Sequence, residues 1–207
     1  MEKQFVKDSR VPFAIFLENK SFHNHFHYEF EILYLISGKF TVKIGDKEYK
    51  MTPGDMYFAM PFEEHEYISD ERNYMLMMIV PPSSVPEYSN IMLYNRIKNP
   101  VISTSKLFKG YADMIICCGH YFNRRTRNEN VLKGMLLSLL SEFFDNVELK
   151  PWNQSKCSTI ELILTACMKN YTNQEFNLEY ASKIIGYNST YISHIMSDAL
   201  VSASRIL

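Results

Sequence analysis

The chain has 207 residues, of which 46% are hydrophobic and 22% are charged, and its formal net charge is −1. This composition supports at least one sizeable core, excludes a disordered chain, and provides no strongly basic surface that would bind nucleic acid by charge alone. No apolar run approaches the roughly 20 residues that cross a bilayer, the N-terminus is too polar for a secretory signal, and the 4 cysteines form no CxxC pair. We therefore expect a cytoplasmic protein with reduced thiols and no membrane partner.

Up to about residue 80 the sequence alternates short apolar segments with turn signals, which is typical of a β-sandwich or barrel. The apolar segments predict strands at residues 32–36, 40–44, 56–60 and 74–80. Prolines at 81, 82 and 86 then end the sheet, because proline cannot donate to a strand ladder.

From about residue 103 the apolar spacing becomes helical, and two amphipathic helices follow, the second over about 129–146. The broad apolar stripe of this second helix either packs on the sheet or on a second subunit. We assign it to a homodimer interface formed by Leu132, Leu136, Leu139 and Phe143. Residues 148–157 contain a proline and no periodicity, so they predict a linker. The chain then predicts helices at 158–171, 177–185 and 189–200.

Polar residues that are an even number of positions apart form a candidate site in the sheet region. His25, His27 and Glu31 point to one face of an extended strand, and His65 is placed to join them. Three imidazole nitrogens and one carboxylate suit a divalent iron, manganese, nickel or zinc ion. The same residues could instead hydrogen-bond a small-molecule effector or one another.

At these residues the sequence resembles the cupin superfamily, which implies a small β-barrel with a ligand cavity. The first cupin motif, H-x-H-x3-E-x6-G, is met by His25, His27, Glu31 and Gly38. The glycine that usually stands six residues earlier is Asn19 here. The second motif, P-x-G-x2-H-x3-N, is met loosely, since Pro61 is one residue too close to His65 and Ser69 replaces the asparagine.

Near the C-terminus the pattern predicts a helix-turn-helix. Asn177 is a good N-cap for a short helix, Gly186 ends that helix in a tight turn, and Ser189 begins the next helix. The segment NLEYASKIIGYNSTYIS resembles the first helix-turn-helix of AraC-type transcription regulators. The order of a cupin-like sensor, a helical pair and a helix-turn-helix also matches that family, across essentially the whole chain.

The resemblance implies that Thr190, Ser193 and His194 face the major groove of promoter DNA, with Ser189 near a phosphate. Family members commonly carry arginine at the position of His194 and lysine at the next positions on that face. Because these cations are absent, this unit alone is expected to bind DNA weakly. A second helix-turn-helix would follow Leu207 in that family, so we expect either a truncated chain, which we favour, or a naturally shortened relative, and we expect full affinity to need the missing unit.

The sequence therefore predicts an α+β protein with four segments: residues 1–100 as an effector-binding barrel, 101–147 as a dimerisation pair, 148–157 as a linker and 158–207 as an incomplete DNA-binding domain. We expect a ligand-responsive regulator rather than an enzyme, with a small, sugar-like effector and no obligatory cofactor. The expected effector pocket contains His25, His27, Glu31, His65, Leu33 and Phe40, closed by Arg10 and Phe13 of an N-terminal arm. The alternatives are a cupin metalloenzyme, such as an isomerase or dioxygenase, and a protein-interaction module.

Overall fold

The structure, a computed structural model, describes residues 12–69, 71–152, 159–170 and 173–204. These residues divide into two compact units, with the boundary between Pro151 and Trp152. Among the described residues, no helix is long and apolar enough to cross a membrane.

The first unit is built on two antiparallel sheets, which confirms the predicted β-sandwich class. Its first eight strands are β1 (Phe13–Glu18), β2 (Phe22–His25), β3 (Phe30–Gly38), β4 (Phe40–Ile44), β5 (Lys47–Met51), β6 (Asp55–Ala59), β7 (His65–Ile68) and β8 (Asn73–Val80). Together with β10 (Val101–Ser103), one sheet has the order β1-β8-β3-β6-β10, and the other has the order β2-β7-β4-β5. The four predicted strands correspond to β3, β4, β6 and β8.

The central strand β3 is buried on both faces, because each face covers a different core. Leu33 and Leu35 point into a core between the two sheets. Phe30, Ile32 and Tyr34 point the other way, into a larger core beneath the helices. Successive side chains of β3 therefore pack into two different cores. This is why its sequence is a continuous apolar run and does not alternate with polar residues.

Three helices cover the outer face of the five-stranded sheet: α1 (Pro86–Tyr94), α2 (Tyr111–Phe122) and α3 (Glu129–Asp145). The sequence pattern did not predict α1, although Pro86 stands at its first turn, where a missing backbone N–H costs nothing. Asn128 caps α3 by accepting hydrogen bonds from two backbone N–H groups of its first turn.

The assignment of the α3 stripe to a dimer interface needs correction. Leu132, Leu136, Leu139 and Phe143 are all buried within this chain. The ring of Phe143 stacks on Phe58 of the five-stranded sheet, with 4.8 Å between ring centroids. Because these side chains complete the intrachain core, a second subunit cannot bind them. The homodimer stays a prediction that requires another surface.

The predicted linker also begins later than expected. Residues Leu149–Pro151 form strand β11, which pairs with β9 (Asn95–Ile97), so this part of 148–157 belongs to the first unit. Glu148 and Trp152 are also described, whereas residues 153–157 of the predicted linker lie outside the described residues.

The described residues of the second unit form three helices, α4 (Thr159–Asn170), α5 (Leu178–Ile185) and α6 (Ser189–Ser204), and each helix packs against the other two. The core of this unit includes Ile163, Ala166, Ala181 and Ile192. The α+β class, with a β-sandwich followed by a helical region, is therefore confirmed.

Candidate functional site

The four polar residues predicted to form a site do converge in the structure. His25 at the end of β2 is the cross-strand partner of His65 at the start of β7, and their ring centroids are 4.4 Å apart. His27 lies in the turn after β2, and Glu31 lies on β3 with its side chain on the same face as Leu33. One donor atom from each residue lies within 4.8 Å of the donor atoms of the others.

Backbone carbonyls orient all three imidazoles in the same way. Nδ1 of His25, His27 and His65 lies 2.7, 3.0 and 2.7 Å from a carbonyl oxygen two residues away. These carbonyls belong to His23, Glu29 and Glu63. A carbonyl oxygen can only accept a hydrogen bond, so each Nδ1 carries a proton and donates it to that oxygen. Nε2 is then the nitrogen of each ring that remains for other contacts.

Glu31 is the centre of the cluster, and its side chain is only 1% exposed. Its Oε1 accepts a hydrogen bond of 2.6 Å from the Tyr67 hydroxyl, and its Oε2 lies 3.2 Å from Nε2 of His27. Nε2 of His65 lies 4.0 Å from the same Oε2, is fully buried, and has no hydrogen-bond partner among the described residues.

The site shifts the pKa values of Glu31, His27 and His65 in different directions. Burial raises the pKa of Glu31, but the hydrogen bond from His27 and the nearby imidazoles outweigh it, so the net pKa is lowered. Burial lowers the pKa of His27, but the contact with Glu31 outweighs it and raises the net value. Burial lowers the pKa of His65 to about 4, so this ring is neutral at pH 7. The contact between His27 and Glu31 therefore favours the charged form of each group, beside a neutral His65 imidazole.

The residues fit a divalent transition metal. Three imidazole nitrogens and one carboxylate form a donor set that zinc, iron, nickel and manganese accept. Ligating histidines usually donate their other N–H to a carbonyl or carboxylate, as all three do here. The partnerless Nε2 of His65 is a buried acceptor of the kind that a bound ion satisfies.

Comparison with known families identifies this sandwich. The AraC-like ligand-binding domain matches residues 14–108. Residues 14–108 form an AraC-like ligand-binding domain. No curated protein matches this sequence.

Solved structures share the fold over most of the chain. The AraC-like transcriptional activator CuxR is 12% identical with a TM-score of 0.51, covering 86% of this chain and 68% of that protein. ToxT from Vibrio cholerae is 12% identical with a TM-score of 0.52, covering 88% of this chain and 74% of ToxT. ToxT with a bound unsaturated fatty acid is 11% identical with a TM-score of 0.54, covering 88% of this chain and 72% of ToxT. At these identities the likeness shows a shared fold.

The structure explains two glycine positions of the cupin motif in this AraC-like domain. Asn19, which stands where a glycine is usual, has a φ of +50°, a left-handed conformation that asparagine tolerates better than most residues. Its side chain also accepts a hydrogen bond from the backbone N–H of Asn73. Gly38 has a φ of +85°, and an added Cβ would lie 1.9 Å from the carbonyl oxygen of Arg72. No other residue fits there without moving the backbone.

The remaining pocket predictions need correction. Leu33 and Phe40 do point inward, but they are fully buried in the inter-sheet core, packed with Tyr57 and Tyr67, and do not line an open cavity. Phe13 is not on an arm, because it is the first residue of β1 and pairs with Ile79 on β8. Arg10 lies outside the described residues.

Two tyrosines next to the site were missed by sequence reasoning. Tyr67 donates to Glu31, and the ring of Tyr57 lies 6.1 Å from the ring of His65 between centroids. Tyr67 lies two residues after His65 on β7, and residues two apart on a strand point to the same face. This spacing is the sequence signal that places Tyr67 at the site.

Removing the Tyr67 hydroxyl should destabilise the AraC-like domain, while removing the Tyr57 hydroxyl should not. Tyr67→Phe deprives a buried carboxylate of a hydrogen bond, which costs about 1–3 kcal/mol of unfolding free energy. Tyr57→Phe removes a buried hydroxyl that has no partner among the described residues, so the expected change is under about 0.5 kcal/mol. Urea unfolding followed by circular dichroism measures both. Equal losses would contradict the Tyr67–Glu31 contact.

Proposed function

We propose that this chain is a ligand-responsive, DNA-binding transcription regulator of the AraC type. The observation that carries the proposal is the presence, on one chain, of an AraC-like ligand-binding domain and a three-helix unit with helix-turn-helix features. In this proposal the sandwich binds the effector and the three-helix unit binds promoter DNA.

The turn between α5 and α6 has the local geometry that a helix-turn-helix requires. Asn177 accepts a hydrogen bond from the backbone N–H of Tyr180 and caps α5. Gly186 ends α5 with a φ of +83°, in the left-handed region. Asn188 then accepts from the backbone N–H of Tyr191 and caps α6. Two capped helices joined by a left-handed glycine match the expected motif.

The face of α6 proposed to meet DNA is polar and accessible. Thr190, Ser193 and His194 are exposed, while Ile192 between them is buried against the unit's own core. One shallow groove is lined by Thr190, Ser193 and His194 together with Leu178, Ser189 and Ser197. Hydroxyl and imidazole groups can donate to or accept from base edges in the major groove.

The charge of this face predicts weak binding. Residues 189–197 contain no lysine or arginine, so few phosphate counterions would be released on binding. We therefore expect a small salt dependence and an affinity near the non-specific range of about 10⁻⁴–10⁻⁶ M for a single unit.

A selection experiment tests DNA recognition. Enrichment of a random duplex library on this chain at low salt should yield a sequence that fluorescence anisotropy then shows to bind more tightly than its scrambled version. Thr190→Glu combined with His194→Glu should abolish this binding, because the added charges repel phosphates. Ser83→Glu combined with Ser105→Glu adds the same charge at exposed positions of the first unit and should leave binding unchanged. An absence of any enriched sequence would contradict the proposal.

The effector is proposed to bind at the cluster of His25, His27, Glu31 and His65. One solved ToxT structure contains an unsaturated fatty acid, so a protein of this fold does bind a small molecule. A ligand that prefers one conformation of the sandwich would shift the population towards it, which is the basis of an allosteric response.

A cupin-type metalloenzyme is the second candidate, and the convergence of four metal-ligand side chains favours it. Burial raises the pKa of both Tyr57 and Tyr67 well above the usual range, which makes these neighbours poor general bases. The enzyme hypothesis also assigns no role to α4, α5 and α6. Metal-dependent turnover of a sugar or an oxygen-requiring substrate, lost in Glu31→Gln, would favour it over the regulator.

A further inference from the structure

We propose that the loop between α2 and α3 contacts the DNA backbone, with the guanidinium groups of Arg124 and Arg125 bound to phosphates. The choice of DNA as the partner rests on the proposed function, whereas the availability of the two arginines rests on the structure of the loop.

The first argument is the charge of this segment. Residues 114–128 contain three arginines and no aspartate or glutamate, in a chain whose formal net charge is −1. Arg124 and Arg125 are exposed, and neither guanidinium group has an ion pair or a hydrogen bond among the described residues. Two adjacent unpaired cations without an acidic neighbour in the sequence make this loop locally attractive to an anion.

Several other surface cations of the first unit are already neutralised. Lys39, Lys98 and Lys133 lie 2.9, 2.8 and 2.8 Å from a glutamate oxygen. Such pairs reduce the charge that these lysines present to a partner. The two loop arginines keep their full charge for an external anion.

The second argument is that the loop is held in place by its own contacts. The Tyr121 hydroxyl accepts a hydrogen bond of 2.9 Å from the backbone N–H of Asn128, which ties the end of α2 to the start of α3. Arg127 donates from Nε to Glu129 and from Nη1 to the carbonyl of Phe122, at 2.9 and 3.1 Å. Arg127 therefore stabilises the loop, and the other two arginines are the ones left for a partner.

The side chain of Arg124 is also restrained. Its Cζ lies 5.2 Å from the centroid of the Tyr121 ring, within the range of a cation–π contact. This contact restrains the side chain without occupying its N–H donors. Because ordering a long side chain is part of the cost of binding, a restrained arginine binds an anion at a lower entropic cost.

The third argument is that a DNA strand matches two neighbouring arginines and an uncharged recognition face. A strand carries one phosphate per about 3.4 Å of helix rise, so adjacent guanidinium groups can bind neighbouring phosphates, each through two N–H donors. The proposed recognition face on α6, residues 189–197, contains no lysine or arginine. Neutralisation of phosphates must therefore come from residues outside that face, and the loop provides two such cations.

The salt dependence of DNA binding tests the proposal. The duplex enriched on this chain and its scrambled version are each titrated by fluorescence anisotropy at salt concentrations from about 50 to about 200 mM. Arg124→Gln combined with Arg125→Gln removes two phosphate contacts, so the slope of log affinity against log salt should fall in magnitude by about 2 on both duplexes. At the lowest salt concentration the affinity should fall at least about 10-fold on both.

Two further variants control for charge and folding. Arg124→Lys combined with Arg125→Lys keeps both charges and should retain the slope. Lys106→Gln combined with Lys109→Gln removes two charges from exposed residues that precede α2, at the opposite end of that helix, and should leave the slope unchanged. Circular dichroism establishes that all three variants are folded. An equal loss of slope in the two glutamine variants would mean that net charge, and not this loop, attracts the duplex.

The scrambled duplex separates this inference from the proposed function. Selective binding of the enriched duplex with a full salt slope in the arginine-to-glutamine variant would overturn the loop contact and leave the regulator proposal standing. An arginine-dependent slope on the scrambled duplex, without any selective sequence, would support the loop contact and contradict the regulator proposal. Binding to neither duplex, or tighter arginine-dependent binding to a labelled oligoglutamate peptide, would overturn the loop contact.

Discussion

Replacing both Leu136 and Leu139 by aspartate should unfold the first unit rather than dissociate a dimer. The two side chains are 1% and 0% exposed and belong to the core between α3 and the five-stranded sheet. The helix is also tied there by the Tyr111 hydroxyl, which donates to the carbonyl of Leu139. Each aspartate would bury a carboxylate without a partner, at a cost of several kcal/mol against a total stability of about 5–15 kcal/mol.

The measurement is a thermal melt by circular dichroism together with the molar mass from light scattering. Val131→Asp is the control, because Val131 lies on the same helix and is 46% exposed. It should fold with a melting temperature close to that of the unchanged chain. A folded, monomeric double variant would contradict the intrachain packing of α3 and restore the stripe as a dimer interface.

Gly38→Ala should cost about 3 kcal/mol of unfolding free energy, near the upper end of ordinary single substitutions. Its φ of +85° is unfavourable for alanine, and the new Cβ would lie 1.9 Å from the carbonyl oxygen of Arg72 and 2.7 Å from Cα of Asn73. Because these are backbone atoms, relief requires separation of the end of β3 from the start of β8. Urea unfolding measures the loss.

Gly45→Ala separates the clash from the conformational cost. Gly45 also has a positive φ, +56°, but an added Cβ would meet no atom within 4 Å. Only the left-handed conformation is then penalised, and the expected loss is about 1 kcal/mol. Similar losses at the two glycines would mean that the contact with Arg72 contributes nothing.

Strand and helix patterns were predictable wherever one residue type repeats along an element. The helix predicted over residues 129–146 is observed as Glu129–Asp145, and the strand predicted over 40–44 is Phe40–Ile44. By contrast β2, which carries His25, has only four residues and is mostly polar, so periodicity could not reveal it. Helix α1 was not predicted because Pro86 was interpreted only as a signal that ends the sheet.

The cluster of His25, His27, Glu31 and His65 was predictable from the residue types and their motif spacing. The expected single extended strand is wrong, because His25 ends β2, His27 lies in the following turn and Glu31 lies on β3. What orients these members was not predictable. The carbonyls of His23, Glu29 and Glu63 are backbone groups whose direction depends on local dihedral angles, and side-chain identity does not report those angles. The contact between Tyr67 and Glu31 joins residues 36 positions apart, so it exists only when β7 and β3 face each other.

The sequence by itself determined that the α3 stripe is apolar, that Asn177 caps α5, and that His25, His27, Glu31 and His65 belong to one site. The tertiary structure alone decided what each buried face meets, so that the α3 stripe covers the sandwich and aromatic rings fill the space expected for an effector. The physical reason is that the hydrophobic effect is non-directional. It requires an apolar face to leave water, but shape and packing select the partner that covers it.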